Sequence, residues 1–222
     1  MTITITEDRV VFQSATPMKV VSSAMINAGI GYFQNFVNRS VPKTYDNRTP
    51  HEEYTAYLHA HGFDVAATVG MMTAVPARHA LIRTFCEQQT HITVMVTAGL
   101  GNAVDITRAN LRKEHYAPGT INCWVMIEGK LSDEALLQAL ISTTEAKAKA
   151  LFAENIIDPT TGTLATGTST DSVLVASTER GETYNYAGPI TLLGKVIGHG
   201  VYETMREAFQ NYKKEVGDGT WR

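Results

Sequence analysis

Two long helical segments in the second half of the chain constrain its fold more than any other feature. Ser132 to Phe152 begins with a capping serine and two acidic residues, the pattern of a helix N-terminus. Thr191 to Lys214 is the second segment, and its apolar side chains recur at helical spacing. Most of the chain before them reads as short β-type runs. Runs of strands with two late helices predict an α+β fold, in which a mostly antiparallel sheet packs against both helices.

The apolar spacing also predicts which side of each helix faces the core. The stripe of the first helix is expected to run through Leu136, Leu137, Leu140, Ile141, Thr144, Ala148 and Leu151. The second helix should bury Leu193, Val196, Ile197, Val201, Met205, Ala208 and Tyr212. Glycine inside a helix costs roughly 1 kcal/mol relative to alanine. Gly194, Gly198 and Gly200 therefore predict close backbone approach by a neighbouring element or by a bulky ligand.

The remaining elements are predicted from alternation and turn residues. Strands are expected at 2–6, 9–13, 19–23, 64–73, 79–86, 91–98, 120–128 and 172–178, with a short helix at 51–61. Residues 30–41 fit either type of element. Both faces of the 120–128 strand are apolar, which predicts a central position with cover on both sides.

Composition limits the class of partner. The chain has 222 residues, a length that fits one domain spanning residues 1–222. Apolar residues make up 44% and charged residues 18%, which is typical of a compact folded protein. The net charge is −3 and Lys and Arg form no cluster, so a nucleic-acid partner is not expected. A small molecule is the expected partner.

The sequence also bears on location and assembly. No apolar run approaches the roughly 20 residues that span a bilayer, and the N-terminus lacks the basic start of a signal peptide. A cytoplasmic protein without a membrane partner is therefore expected. Cys86 and Cys123 stand far apart, which supports neither a zinc site nor a disulfide framework. Base rates allow a homo-oligomer, and the sequence does not fix the number of copies.

The segment Thr166–Asp171 is the most distinctive loop. It places a glycine, four hydroxyls and a carboxylate directly before the apolar run that starts at Ser172. Such a loop offers backbone N–H groups and a carboxylate at the lip of a sheet, where polar ligands are often held. The same residue types also mark ordinary turns, so both interpretations stay open.

The loop belongs to an ordered set of motifs. The set comprises Ser22–Ala24, Val69–Ala74, Val96–Ala103, Gly119–Asn122, Thr144–Lys147, Ala165–Asp171 and Tyr186–Gly198. In this order and spacing it resembles the adenosylcobinamide amidohydrolases of corrinoid salvage, the CbiZ family, from about residue 20 to about residue 212. The resemblance implies a hydrolase that cleaves the amide between aminopropanol and the corrin ring, releasing adenosylcobyric acid. No bound cofactor is predicted from the sequence, and the implied substrate is itself a cobalt corrinoid.

Amide hydrolysis needs an activated nucleophile, a group that holds the oxyanion and a proton for the departing amine. The chain has neither a Gly-x-Ser-x-Gly elbow nor a His-Glu-x-x-His helix, so no metal site is predicted and carboxylates and hydroxyls remain. We expect Glu145, Asp171 and Thr168 to be catalytic. An exposed pair with Lys149 is the alternative for Glu145, and turn capping is the alternative for Asp171. Lys147 lies on the opposite flank of the helix from Glu145 and is not expected in the same site.

The substrate is expected to lie against polar turns at strand ends. A corrin ring carries several primary amides, which asparagine side chains match because they both donate and accept. The predicted binding residues are Asn27, Thr73, Asn102, Asn122, Thr166, Gly167 and Ser169. Asparagine also occurs in turns for backbone reasons alone. These turns should converge on one pocket bordered by Glu145. The alternative function is a corrinoid-binding protein without catalysis.

Overall fold

A computed structural model describes residues 2–112 and 119–217. Its helices are α1 (Pro50–Ala60), α2 (Asp133–Ala153) and α3 (Leu192–Gly217). Its strands are β1 (Thr2–Ile5), β2 (Arg9–Ser22), β3 (Gly29–Ser40), β4 (Thr68–Thr73), β5 (Leu81–Glu87), β6 (Thr90–Ala98), β7 (Ala103–Val104), β8 (Ile121–Glu128), β9 (Lys130–Leu131), β10 (Gly167–Thr168), β11 (Ser172–Ser177) and β12 (Thr183–Tyr184). The predicted α+β class is confirmed.

One large sheet contains eight of these strands, in the order β4-β3-β2-β11-β8-β6-β5 with β1 paired to β2. The β3–β4 and β8–β11 pairs are parallel. The remaining described pairs of this sheet are antiparallel, so the mostly antiparallel sheet is also confirmed. β8 lies inside the sheet, as its apolar faces predict, and only Glu128 at its end is exposed.

The first hairpin differs from the prediction. The segments expected as separate strands at 9–13 and 19–23 belong to the single strand β2, which ends at Ser22. Its pairing with β3 changes register between Gln13 and Met18, around the turn-type residues Ala15 and Pro17. A bulge absorbs those residues without ending the strand. Residues 30–41, which fitted either type of element, lie almost entirely within β3.

The large sheet folds over on itself around Trp124 of β8. The Trp124 ring packs edge-on against Phe12 of β2 at 6.0 Å and Phe36 of β3 at 6.4 Å between centroids. Its indole N–H points at the sulfur of Met71 in β4, 3.1 Å away. β3 and β4 therefore lie across β8, although β2 and β11 separate them in strand order. This overlap makes an inner core between the two halves of the sheet.

Helices cover both outer faces. α2 and α3 pack on β6, β8 and β11, where they bury the largest core cluster. α1 covers the other side through Tyr54 and Leu58, which contact Val11 and Val37. The Tyr54 hydroxyl lies 2.9 Å from the carbonyl of Val37 and 2.8 Å from that of Met71. The result is four layers, helix–sheet–sheet–helix. The sequence predicts cover on both sides of β8 but assigns helical cover only to the segments that form α2 and α3. None of the helices in the described ranges is long and apolar enough to span a membrane.

The buried side of α2 differs from the prediction, whereas α3 buries the side that was expected. Leu137 and Ile141 are exposed at 46% and 58%, and Thr144 is exposed as well. The helix instead buries mainly small and polar residues, namely Ala135, Ala139, Ser142, Thr143, Ala146, Lys147 and Ala150, together with Leu136 and Leu151. Small side chains let α2 approach its neighbours closely, which a leucine-lined face would prevent.

The predicted close approach is confirmed at two of the three helix glycines. A Cβ on Gly194 would lie 1.9 Å from the carbonyl oxygen of Gly188, and one on Gly200 would lie 2.8 Å from the ring of Phe85. At Gly198 no neighbouring element approaches, because a Cβ there would meet nothing within 4 Å, and approach by a ligand stays a prediction. Gly198 opens a groove between α2 and α3.

Candidate active site

A cleft of about 450 Å³ opens at the mouth between the two halves of the sheet. Its walls come from the loop after β3, the end of β4, and the residues that lead into β8 and β11. They are Met25, Val41, Pro42, Tyr45, Pro50, Met72, Thr73, Ala74, Gly119, Thr120, Thr170 and Ser172. A smaller cavity of about 150 Å³ shares Ala74 and Gly119 with it and extends toward Gly99, Gly101 and Lys43. Apolar surface edged by hydroxyls suits a broad, mostly apolar ligand with polar groups at its periphery.

Asp171 organises the loop that forms one wall of this cleft. Its Oδ1 accepts from the Thr168 hydroxyl and from the Ile121 N–H, the latter at 3.1 Å. Its Oδ2 accepts from the Thr168 N–H at 3.1 Å and from the ammonium group of Lys147. An ionised carboxylate has about four acceptor positions, and these four donors fill them. Asp171 therefore ties the β10–β11 loop to the start of β8 and to α2.

Lys147 provides the charge that balances Asp171. The side chains of the pair are 8% and 11% exposed, so the ion pair is largely removed from solvent. Cys123 of β8 is fully buried nearby, and its burial raises the pKa of the thiol to about 12. A neutral buried thiol is a packing group.

The other hydroxyls of the loop are also bonded to the scaffold. The Thr166 hydroxyl accepts from Ile106 N–H at 3.0 Å. Ser169 accepts from the Asn102 amide at 2.7 Å, and Thr170 donates to the Gly119 carbonyl at 3.0 Å. These contacts hold the loop rigidly in one conformation. Gly167, Thr168, Ser169, Asp171 and Asn102 thus form one connected cluster behind the wall that Thr170 contributes to the cleft. None of the five lines the cleft itself, and their part in a site stays a prediction.

Asn122 lies in a buried network beneath the floor of the cleft, which it does not itself line. Its amide donates to Asn38 Oδ1 at 2.7 Å and to the Met72 carbonyl at 3.0 Å. Asn38 donates in turn to the Thr97 hydroxyl at 2.9 Å. The network joins β3 and β4 to β6 and β8 where the two halves of the sheet meet. Its amides are used within the protein, so Asn122 shapes the floor through these bonds.

Thr73 and Asn27 differ in their position relative to the cleft. Thr73 lines it, although its hydroxyl also accepts from the Val75 N–H at 3.1 Å. Asn27 has a left-handed backbone, with φ of 57°, and its amide donates to the carbonyls of Val65 and Thr68. Its side chain thus anchors the turn before β3 to the segment that enters β4. This is the backbone role that asparagine often has in turns.

Glu145 lies at a different place from the loop. It is exposed on α2 and lines the groove of about 440 Å³ between α2 and α3, together with Lys149, His199 and Tyr202. That groove shares no lining residue with the cleft. The expected pocket that combines Glu145 with the turns is therefore not the one in the structure. Glu145 and Lys147 are two positions apart on α2, which places them on opposite sides of the helix, so Lys147 faces the loop and Glu145 faces away from it.

Another wall of the cleft is held by a charged cluster at α1. Tyr45, which lines the cleft, donates to Glu53 at 2.9 Å, and Arg39 donates to the same oxygen at 2.7 Å. The hydrogen bond from Arg39 is the main reason that the pKa of Glu53 lies below its usual range, against the opposing effect of burial. Burial and the contact with Glu53 raise the pKa of Tyr45. Tyr45 is therefore a neutral donor at physiological pH.

The sequence analysis missed Lys147, Asn38 and Thr97. The apolar stripe predicted for α2 is centred on Leu137 and Ile141 and so places Lys147 at a flank, which is why its buried position was missed. Asn38 lies in the segment whose element type is ambiguous, and Thr97 lies within the motif Val96–Ala103 but has no role assigned from the sequence. Among the described residues, no group of three or more His, Cys, Asp or Glu side chains is arranged to hold a metal ion.

Comparison with known proteins identifies the family. The family model described as adenosylcobinamide amidohydrolase matches residues 1–217. A protein of that name from Methanosarcina mazei is 27% identical over 85% of this chain and 88% of its own length. Its namesake from Halobacterium salinarum is 32% identical over 78% of this chain and 72% of its own. The chain belongs to the adenosylcobinamide amidohydrolase family.

Proposed function

We propose that this protein hydrolyses the amide that links aminopropanol to the corrin ring of adenosylcobinamide. Water adds to the amide carbon, the carbon–nitrogen bond breaks, and the departing nitrogen takes up a proton. The products are adenosylcobyric acid and aminopropanol. The observation that carries the proposal is the family match over nearly the whole chain, with two relatives of that name that it covers over most of their length.

The cleft between the two halves of the sheet is the proposed substrate site. Its apolar walls would receive the face of the macrocycle, and the hydroxyls of Thr73, Thr120 and Thr170 would meet the peripheral amides. Thr168 is the proposed catalytic hydroxyl, oriented by its hydrogen bond to Asp171. All four acceptor positions of Asp171 are occupied. We therefore propose that its carboxylate orients the Thr168 hydroxyl and, as an anion, stabilises positive charge that develops on it.

The setting of the reaction is also a proposal. We place the enzyme in the cytoplasm, because no apolar run of the sequence approaches the roughly 20 residues that span a bilayer. Its proposed partner is a small corrinoid and no nucleic acid, because the net charge is −3 and Lys and Arg form no cluster in the sequence. Cobalt would enter with the substrate, without a resident cofactor. Turnover that persists in a chelator would support this point, and turnover restored only by an added metal would contradict it.

The direct test is turnover of adenosylcobinamide by the purified protein, with both products resolved by chromatography. Asp171→Asn should lower turnover by about 100-fold or more with the fold intact. Glu203→Gln, which changes an exposed carboxylate of α3, is the matched control and should retain wild-type turnover. Glu145→Gln belongs in the same series, because a comparable loss there would give the α2–α3 groove a part in the reaction.

Two outcomes would contradict the proposal. One is the absence of turnover across pH and added divalent metals. The other is a shift in the corrin absorption spectrum on binding with the ligand recovered unchanged, which would favour the non-catalytic alternative.

A further inference from the structure

We infer that Lys147 is a positioning residue of the amidohydrolase reaction, which acts by holding Asp171 and, through it, the Thr168 hydroxyl and one wall of the cleft. The inference rests on the proposed function for its kinetic part. Its structural part concerns the Lys147–Asp171 ion pair alone and can be tested separately.

The first argument is the cost of placing a lysine at this point. Lys147 is 6% exposed on a face of α2 that otherwise buries mainly small and apolar residues. A buried ammonium group is costly to desolvate, and replacing a buried ion pair by apolar residues is often neutral or stabilising. Stability is thus a weak reason for a lysine here. Its ammonium group contacts the carboxylate of Asp171, which also accepts three other hydrogen bonds that hold the loop.

The second argument is the fit of the loop around the pair. A Cβ on Gly167 would lie 2.6 Å from Asp171 Oδ2 and 3.1 Å from Lys147 Nζ. The ion pair therefore lies directly against the loop backbone, in space that only glycine leaves free. The glycine that makes this motif distinctive in the sequence is explained by Lys147, which comes from α2, twenty residues earlier.

The ion pair also holds two separate segments of the chain in place. Asp171 accepts from the backbone N–H groups of Thr168 and Ile121, which belong to separate segments. Next to Ile121, the Thr120 hydroxyl donates to the Thr170 carbonyl at 2.7 Å, and both residues line the cleft. If the carboxylate rotates, the proposed catalytic hydroxyl and this wall shift together. Lys147 fixes the carboxylate orientation because it pairs with Oδ2.

The kinetic test is a double-mutant cycle. Lys147→Met keeps the length and apolar stem of the side chain and removes its charge. It should lower kcat by about 10- to 100-fold, because a displacement near 1 Å at a reacting group has effects of that size. KM should stay within about 3-fold, since the other walls of the cleft are unaltered. Lys149→Met, an exposed lysine on the same helix, is the matched control and should match the wild type.

The cycle also separates an action through Asp171 from a direct one. In the Asp171→Asn background, adding Lys147→Met should change kcat by less than about 2-fold, because the group it positions is already altered. Losses that multiply would mean that Lys147 acts on the substrate itself and would overturn the inference. So would a Lys147→Met protein of lower melting temperature but normal kcat. If Lys147→Met does not fold, the double variant, which lacks both charges, is compared with Asp171→Asn alone. A kcat within about 2-fold supports the inference, and a further loss overturns it.

Hydrogen exchange supplies a readout that does not need turnover. The amides of Thr168 and Ile121 should exchange faster in Lys147→Met than in Lys149→Met, because both donate to Asp171. Unchanged protection at both amides would refute the positioning role even if the wild-type protein proved inactive. If the wild-type protein proved inactive, faster exchange in Lys147→Met would still uphold the structural role. The inactivity would contradict only the proposed function.

Discussion

Gly167→Ala tests how tightly the loop is fitted to the ion pair beneath it. The new Cβ would lie 2.6 Å from Asp171 Oδ2 and 3.1 Å from Lys147 Nζ. The first distance is about 1 Å shorter than the roughly 3.5 Å at which non-bonded heavy atoms rest comfortably. The Gly167 backbone lies outside the left-handed region, so the alanine itself adds no conformational strain. The predicted effect therefore comes from the contact alone.

The contact can be relieved only if the ion pair or the loop moves. Overpacking of this kind costs about 1–3 kcal/mol. For a chain of this length that corresponds to a melting temperature lower by about 2–4 °C for each kcal/mol. Turnover should fall by about 10-fold or more, because the shift reaches Thr168 directly. Thermal unfolding and the chromatographic assay for adenosylcobyric acid measure the two effects.

Gly198→Ala is the matched control, because it is also a glycine-to-alanine change but has open space around the new Cβ. Alanine in the interior of α3 should stabilise the protein by about 0.5–1 kcal/mol. The reasoning would be refuted if Gly167→Ala melted with the wild type and kept full turnover. That result would mean that the loop does not depend on its close contact with the pair.

Two further predictions concern the wall at α1 and the packing of α1 on the sheet. Because Arg39 depresses the pKa of Glu53, the ionised form of Glu53 stabilises the fold above its unfolded pKa, and this contribution is lost as the pH falls through the lower folded value. Glu53→Gln should therefore flatten the acid limb of a plot of unfolding free energy against pH, and an unchanged limb would contradict the assignment. Tyr54→Phe removes a buried hydroxyl that lies within hydrogen-bonding distance of the carbonyls of Val37 and Met71. It should lower the free energy of unfolding, measured by chemical denaturation, by about 1–3 kcal/mol. A wild-type midpoint would show that these carbonyls find other donors.

Local patterns determined most of the secondary structure. The predicted helix cap at Ser132 is confirmed, because its hydroxyl accepts from the Ala135 N–H at 3.1 Å. Periodicity identified the buried side of α3, and the apolar faces of β8 identified a central strand. These predictions succeed because capping and burial act over one or two turns or one strand, which the sequence contains directly.

Predictions that needed a third dimension were less successful. The sequence predicts a turn at the bulge in β2, because Ala15 and Pro17 have turn chemistry, and only pairing with β3 keeps the strand continuous. The α2 stripe was centred on its largest apolar residues, yet Leu137 and Ile141 are exposed. Closeness of packing, which favours small residues, decided the orientation of that helix. That one domain spans the whole chain stays a prediction.

The candidate site divides along the same line. The sequence by itself determined the family and the loop Thr166–Asp171, because the motifs that carry them are contiguous, whereas the hydrogen bond from Asn102 to Ser169 comes from the tertiary structure. Only the tertiary structure brought Lys147 to Asp171, joined Asn122 to Asn38 and set Glu145 in a separate groove. The physical reason is that a rotation of α2 about its axis exchanges the residues that face the loop, and packing against the sheet and α3 fixes that rotation.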